Sequence, residues 1–230
     1  MAVRLHVAFT PREAARVPTG IVVDVLRASS TIVQALDSGY LRVLCCAEIE
    51  DARAVRDEVG DAVLAGEREA ELISGFDLGN SPRDFLEARA ENLVLTTTNG
   101  TRAIVTAAAD CDTVLVGSLL NLEAVATAAR AEGSDVEIVC AGVDGAFALD
   151  DAYCAGRIVE LLDGERTDAA EAAVRIARSF TSAEEAFRTS LNPHEREIEE
   201  DLVWCAREAV SQVVPRFEEM RGPAAEIRPL

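Results

Sequence analysis

Residues 21–36 read as a strand followed by a helix, and the junction between the two places a carboxylate, an arginine and three hydroxyl groups close together in the chain. A β-branched apolar run over residues 21–25 is typical of a strand buried on both faces of a parallel sheet, and it contains Asp24 near its carboxyl end. Arg27 and a hydroxyl cluster (Ser29, Ser30 and Thr31) follow, before helical spacing begins at residue 32. Free backbone N–H groups and the dipole favour anions at a helix N-terminus, so the junction indicates metal-assisted phosphate chemistry. The alternative is that Asp24 only ends the strand and a serine caps the helix.

Similar polar groups follow several other apolar runs. They are Glu67 and Arg68, then Thr98, Asn99, Gly100, Thr101 and Arg102, then Ser118, and finally the turn at residues 142–145. Right-handed crossovers bring the ends of parallel strands to one edge, where ligands bind, so we expect these groups to lie close together. Arg27, Arg68 and Arg102 can each hold an oxyanion through two hydrogen bonds, although any one of them alone could be a solvated surface charge.

Three carboxylates are candidate ligands for a cation: Asp24, Glu67 and Asp77. Magnesium prefers one or two carboxylates and keeps several waters, so this number is sufficient. The three residues are far apart in the chain, and the assignment therefore depends on the fold. The adjacent pair Asp150 and Asp151 is a second possibility, with capping of the following helix as its simpler role.

Composition excludes several classes of protein. The formal charge of −19 argues against a nucleic-acid partner, because phosphates require a basic surface. The sequence has no lysine, which excludes a Walker A lysine and a Schiff base. It has no uncharged apolar run of membrane-spanning length and no signal-peptide pattern at its start, so we expect a cytoplasmic protein. Neither GxGxxG nor a CxxC pair is present, which argues against a dinucleotide site and a zinc site.

Strand-like and helix-like segments alternate along the chain. Strands are predicted at residues 4–9, 21–25, 41–46, 62–65, 92–97, 113–116 and 135–141, and helices at 49–59, 100–109, 122–131 and 150–162. This repetition favours an α/β fold, specifically a three-layer α/β/α arrangement with a largely parallel or mixed sheet, in a single domain over residues 1–230. The tail at residues 222–230 is predicted to be extended and to close an edge of the sheet.

Seven segments together resemble the 2-phosphosulfolactate phosphatase family, in the order in which that family carries them. The segments are residues 22–31, 65–68, 75–82, 95–103, 116–121, 138–142 and 151–156. The C-terminal part is similar only around residues 201–205 and 213–215. The family's histidine-glycine segment is not cleanly present, because Glu195 follows His194, and no role is assigned to that histidine.

The resemblance implies a cytoplasmic, often homodimeric α/β/α enzyme that uses Mg²⁺ to hydrolyse 2-phospho-3-sulfolactate to 3-sulfolactate and phosphate, a step towards coenzyme M. Asp24 and Glu67 would hold the metal, and Asp77 would complete its shell or orient the attacking water. Arg27, with the backbone amides of residues 29–31, would stabilise the transferring phosphoryl group. The predicted catalytic residues are Asp24, Arg27 and Asp77, and the predicted substrate-binding residues are Ser29, Ser30, Thr31, Arg68, Asn80, Thr98, Asn99, Gly100, Thr101, Arg102 and Ser118.

Two alternatives and one mechanistic question stay open at this point. The enzyme could act on another small phosphorylated hydroxy acid, or the scaffold could bind an anion without catalysis. Direct attack by water and an aspartyl-phosphate intermediate are both compatible with the residues. A substrate that carries phosphate, carboxylate and sulfonate explains why one site would need several arginines and few aromatic side chains.

Overall fold

A computed structural model of the chain describes residues 3–190 and 198–230, so His194 lies outside the described residues. The strands are Arg4–Ala8 (β1), Thr19–Val23 (β2), Arg42–Cys45 (β3), Ala62–Arg68 (β4), Glu71–Leu72 (β5), Asn92–Thr96 (β6), Thr113–Gly117 (β7), Val136–Cys140 (β8), Glu165–Arg166 (β9), Pro215–Arg221 (β10) and Ala224–Pro229 (β11). The helices are Ala28–Asp37 (α1), Ile49–Val59 (α2), Gly100–Asp110 (α3), Leu122–Glu132 (α4), Leu149–Leu161 (α5), Asp168–Arg178 (α6), Ala183–Ser190 (α7) and Glu199–Cys205 (α8).

All the described strands join one mixed sheet in the order β5-β4-β6-β3-β11-β10-β7-β2-β8-β1-β9. Every residue of β2, β6, β7 and β8 is buried, because helices cover both faces of the sheet. Helices α1 and α3 pack on one face, while α2 and the group α4–α7 pack on the other. The predicted three-layer α/β/α fold is therefore confirmed. Within the described ranges, no helix combines the length and apolar character needed to cross a membrane.

The C-terminal hairpin β10–β11 corrects the prediction for the tail. The tail is extended, as expected, but it does not close an edge, because β11 lies between β3 and β10 in the middle of the sheet. The pairings β3–β11, β11–β10 and β10–β7 are all antiparallel. Three successive reversals make the parallel block β4-β6-β3 run opposite to the parallel block β7-β2-β8-β1-β9. The sheet is therefore mixed, which is one of the two arrangements that the sequence predicted, and the site must combine the ends of two blocks.

A buried carboxylate fixes this central hairpin. Glu226 of β11 is 2% exposed and accepts hydrogen bonds from Arg42 Nη1 at 2.9 Å, Arg221 Nε at 2.7 Å and Arg228 Nε at 2.6 Å. Burial acts to raise the pKa of Glu226, but the bonds from Arg221 and Arg228 and the charge of Arg42 outweigh burial and lower it. The carboxylate is therefore charged at neutral pH, and it joins the two strands of the hairpin to β3.

We expect Glu226→Ala to lower the free energy of unfolding by about 2–3 kcal/mol, because it leaves three arginines around an empty position in the middle of the sheet. Urea denaturation at neutral pH measures this change. Glu219→Ala is the matched control, since Glu219 also accepts a bond from Arg221 but its side chain is 62% exposed. Equal losses in the two variants would contradict a special role for the buried carboxylate.

Candidate active site

A cavity of ≈ 810 Å³ opens where strand ends from both blocks meet. Its walls come from the carboxyl ends of β2, β4 and β8, the loop after β6, the loop before Pro82, and the first turn of α5. Seven of the predicted site residues line it: Asp24, Arg27, Glu67, Arg68, Asn80, Thr98 and Asn99. The sequence therefore assigned to the site seven of the eighteen residues that line this cavity, although it did not predict how the two blocks are joined.

Asp24 follows the buried strand β2 and lies against the start of α1. Its Oδ1 accepts a hydrogen bond from the Ala28 backbone N–H at 3.2 Å, and its backbone carbonyl accepts bonds from the Ser29 N–H and hydroxyl, each at 2.8 Å. The pKa of Asp24 is raised to about 7, mainly by burial and also by the charges of Glu67 and Asp150, against the lowering effects of the Ala28 N–H and Arg27. The protein's own groups thus compensate the negative charge poorly, which favours a cation beside this carboxylate.

Glu67 ties the end of β4 to the loop after β6. It is 8% exposed; Oε1 accepts a bond from the Thr98 N–H at 2.9 Å, and Oε2 accepts bonds from the Ala70 N–H at 2.9 Å and the Thr98 hydroxyl at 3.2 Å. These bonds fix the carboxylate at the wall of the cavity. They also explain why Thr98 lines the cavity without offering its N–H to a ligand.

Two arginines face the cavity, and both are held in place. Arg68 donates to the Glu67 carbonyl at 2.8 Å, to the Ala47 carbonyl at 3.1 Å and to the Thr96 hydroxyl at 2.9 Å. Arg27 donates from Nη1 to Asp201 at 2.7 Å, and that is its one side-chain hydrogen bond to the described part of the chain. A guanidinium has five N–H donors, so Arg27 keeps most of them for a ligand, while Arg68 has fewer left.

The adjacent carboxylates Asp150 and Asp151 also line the cavity. Asp151 accepts bonds from the Val25 N–H at 2.9 Å and the Gly142 N–H at 3.0 Å, so it joins the loops that follow β2 and β8. Asp150 accepts a bond from the Ser190 hydroxyl at 2.7 Å. Burial raises the pKa of both groups, and the charges of Asp150 and Asp24 raise that of Asp151 further. The sequence identified this pair only as a second possibility.

The donor groups of the cavity are compatible with magnesium. Across residues 3–190 and 198–230, no three His, Cys, Asp or Glu side chains lie close enough to hold a metal ion by themselves. Magnesium needs only one or two carboxylates besides water, and Asp24 has Glu67 and Asp150 near enough to raise its pKa. The Asn80 side chain is 4% exposed, and its buried Oδ1 has no hydrogen-bond partner within the described residues. A buried carboxamide oxygen without a partner, in a residue of the wall, would suit a hard cation as a further oxygen ligand.

Two predicted residues lie away from the cavity. Asp77 is exposed, and its Oδ2 accepts a bond from the Leu64 N–H at 2.8 Å. Arg102 is 48% exposed and forms an ion pair with Glu48 at 2.9 Å. Neither lines the cavity, so we include neither of them in the proposed site.

The hydroxyl cluster at the start of α1 has a structural role. The hydroxyls of Ser29, Ser30 and Thr31 donate to the carbonyls of Asp24, Val25 and Asn80, and all three residues are buried. The N–H groups of Ser29 and Thr31 are bonded to the carbonyls of Asp24 and Arg27. Two of the three backbone amides expected to hold a phosphate are therefore already bonded to the chain itself.

The remaining predicted residues support the site from outside. Thr101 and Thr97 exchange bonds between N–H and hydroxyl groups at 2.9 and 3.1 Å, which closes the turn into α3. Ser118 donates its N–H to Asn121 at 2.9 Å and its hydroxyl accepts from the Leu120 N–H. Gly100 lies beside Asp24, where an added Cβ would collide with the carboxylate. A sequence pattern does not separate such supporting residues from those that contact a ligand.

The chain is similar to known proteins over a range that includes every residue of the cavity. Residues 7–220 match a family model described as 2-phosphosulpholactate phosphatase. The chain is 38% identical over 224 residues to the 2-phosphosulfolactate phosphatase of Methanothermobacter thermautotrophicus. That alignment covers 96% of this chain and 95% of the relative. A probable 2-phosphosulfolactate phosphatase of Thermus thermophilus is 38% identical over 232 residues, covering 96% and 97%. One of Deinococcus radiodurans is 43% identical over 177 residues, covering 74% of each.

Proposed function

The chain belongs to the 2-phosphosulpholactate phosphatase family, and from that premise we propose that it hydrolyses 2-phospho-3-sulfolactate to 3-sulfolactate and inorganic phosphate with the help of Mg²⁺. Water supplies the oxygen that joins the phosphoryl group, and the P–O bond to the lactate oxygen breaks. The observation that carries the proposal is the cavity itself, which brings Asp24, Glu67 and two arginines together from distant parts of the chain.

The electrostatics of the cavity support a divalent cation in this reaction. The substrate carries phosphate, carboxylate and sulfonate, but the described wall has more carboxylates than arginines. A polyanion would be repelled unless a cation compensates the carboxylates. When bound, Mg²⁺ would neutralise charge on the phosphoryl oxygens and so lower the barrier to displacement. Asp24 and Glu67 would hold it, with Asp150 and the Asn80 carboxamide as neighbouring oxygen donors.

The chain's own groups would orient the substrate and stabilise developing charge. Within the described residues Arg27 uses one of its side-chain N–H donors, and we assign the others to the phosphoryl oxygens, where charge-assisted bonds are strongest. Arg68 and Asn99 line the same cavity, and we assign them to the sulfonate and carboxylate. Thr98 and Ala70 fix Glu67 in place through their N–H groups.

A phosphate-release assay tests the proposal. We expect 2-phospho-3-sulfolactate to be hydrolysed with kcat/KM at least about tenfold above 2-phospholactate, which lacks the sulfonate that the arginines would bind. EDTA should abolish the activity and Mg²⁺ should restore it. Equal rates with 2-phospholactate or phosphoglycerate would favour a phosphatase of another hydroxy acid. Binding of the substrate without phosphate release would favour a non-catalytic anion-binding protein.

Three further assignments accompany this proposal and stay predictions: a place for the product in coenzyme M synthesis, a cytoplasmic location and a homodimer. The resemblance to the family supports each of them. Light scattering on the purified protein would establish the oligomeric state directly.

A further inference from the structure

A buried carboxylate on α8 contacts the arginine that we assign to the phosphoryl group. Asp201 Oδ2 accepts the bond from Arg27 Nη1 at 2.7 Å, and the side chains of the two residues are 6% and 10% exposed. Asp201 Oδ1 accepts a bond from the Ser81 hydroxyl at 2.6 Å. The carboxylate thus joins α8 to the start of α1 and to the loop before Pro82. Asp201 itself does not line the cavity.

The second partner of Asp201 leads to the same cavity. Ser81 directly follows Asn80, a residue of the cavity wall whose buried side-chain oxygen has no hydrogen-bond partner among the described residues. The Thr31 hydroxyl holds the Asn80 carbonyl at 2.9 Å from the other side. One carboxylate therefore fixes the guanidinium of Arg27 and the backbone beside Asn80 at once.

Burial makes this arrangement directional. A charge-assisted bond between two groups that are almost excluded from water is short and strongly oriented. Among the described residues Arg27 gives one side-chain donor, to Asp201, and Arg27 itself lines the cavity, so we expect the carboxylate to determine which way the fork of N–H groups points. Arg83 Nη1 lies 3.8 Å from Asp201 Oδ1, but Arg83 pairs mainly with the exposed Glu200.

From these contacts we propose that Asp201 is a positioning residue for the phosphatase reaction, which holds Arg27 and, through Ser81, Asn80 in the orientation that the phosphoryl group requires. The proposal rests on the proposed function, since it assigns the phosphoryl group to Arg27. Under this proposal α8 contributes to the active site indirectly, through the contact of Asp201 with Arg27. It also explains why a helix far along the chain packs against the junction that follows β2.

Asp201→Asn should lower kcat by about 10- to 100-fold, which is the cost of a reacting group displaced by about 1 Å. The KM should change by less than about threefold, because Arg27 keeps its charge and still attracts the anionic substrate. A merely structural role would lower the fraction of folded protein without this division between kcat and KM. Glu200→Gln is the matched control on the same helix: its side chain is 74% exposed, and we expect wild-type kinetics.

A double-mutant cycle with Arg27→Lys tests whether Asp201 acts through Arg27. In the Arg27→Lys background, Asp201→Asn should cost less than about threefold, because the fork that it orients is already absent. Full additivity of the two losses would overturn the proposal. If Asp201→Asn does not fold, Ser81→Ala removes one bond to the carboxylate and should lower kcat by about 3- to 10-fold at unchanged KM. An unchanged kcat in Ser81→Ala would then overturn it.

A crystal structure of Asp201→Asn separates this proposal from the proposed function. We expect the Arg27 guanidinium to move by more than about 1 Å from its wild-type position. If it moves and the wild-type protein releases no phosphate from 2-phospho-3-sulfolactate, the positioning of Arg27 stands and the proposed function fails. If the guanidinium stays in place, the inference about Asp201 is overturned whatever the activity of the enzyme.

Discussion

Replacing Asp24 with asparagine should lower turnover at least about a hundredfold while the protein stays folded, as loss of a main charge-stabilising group usually does. Asp24 lines the cavity together with Glu67 and Arg27, and its Oδ1 also holds the Ala28 N–H. Asparagine keeps an oxygen for that bond but removes the negative charge that a magnesium ion would need. The loss should therefore appear in catalysis and in Mg²⁺ affinity, with little change in structure.

The same variant should change how stability depends on pH. The pKa of Asp24 is raised from 3.8 to about 7, first by burial. Between these values the folded state holds a proton that the unfolded state has lost, so the free energy of unfolding falls as pH rises through this window. Asparagine has no such proton, and the decline should be shallower in Asp24→Asn. Urea denaturation at about pH 5 and pH 7.5 without divalent cations measures the difference.

Asp57→Asn is the control for Asp24→Asn, because it removes the same charge from a side chain that is 78% exposed on α2. Its turnover and its pH dependence should match those of the wild type. Near-normal turnover in Asp24→Asn would remove Asp24 from the chemistry. An unchanged pH dependence would contradict the poorly compensated burial of its carboxylate.

Local signals in the sequence predicted most of the described elements. Helix α2 was predicted at residues 49–59 and runs over Ile49–Val59. Its end was predictable because the amphipathic pattern stops at Gly60, which adopts a positive φ in the structure. The hairpin β10–β11 was not predicted as such. Three of the seven residues of β10 are exposed, two of them the charged Glu218 and Glu219. The pairing of β10 with β7 joins Arg216 to Leu115, about a hundred residues away. Its central place depends on long-range pairing, which residue patterns do not reveal.

Of the three carboxylates predicted as metal ligands, the two at the end of a strand are the ones that lie in the cavity. Asp24 and Glu67 lie at strand ends and line the cavity as expected. Asp77 follows no strand closely, and its carboxylate caps the Leu64 N–H instead. The contribution of Asp151 was underestimated, because adjacent carboxylates in the first turn of a helix usually indicate capping. Burial of both members of the pair is the property that distinguishes them, and the sequence does not show it.

Gly100→Ala should lower turnover about a hundredfold without removing any group that contacts substrate. The backbone of Gly100 passes so close to β2 and α1 that an added Cβ would lie 2.5 Å from the Ala28 Cβ and 3.0 Å from the Asp24 Cβ, and closer still to the Asp24 carboxylate. The helix cannot yield at Ala28, so the Asp24 side chain must move from its position in the cavity. Phosphate release and urea denaturation, measured together, separate this displacement from unfolding.

Gly79→Ala controls for the substitution itself, since Gly79 precedes Asn80, has ordinary φ and has nothing within 4 Å of an added Cβ. We expect wild-type turnover from that variant. In an Asp24→Asn background, Gly100→Ala should cost less than about threefold, because the carboxylate that it displaces has already lost its function. The same hundredfold loss in both backgrounds would mean that Gly100 acts on some other part of the cavity. Near-normal turnover in the single variant Gly100→Ala would show that catalysis does not depend on the position of Asp24.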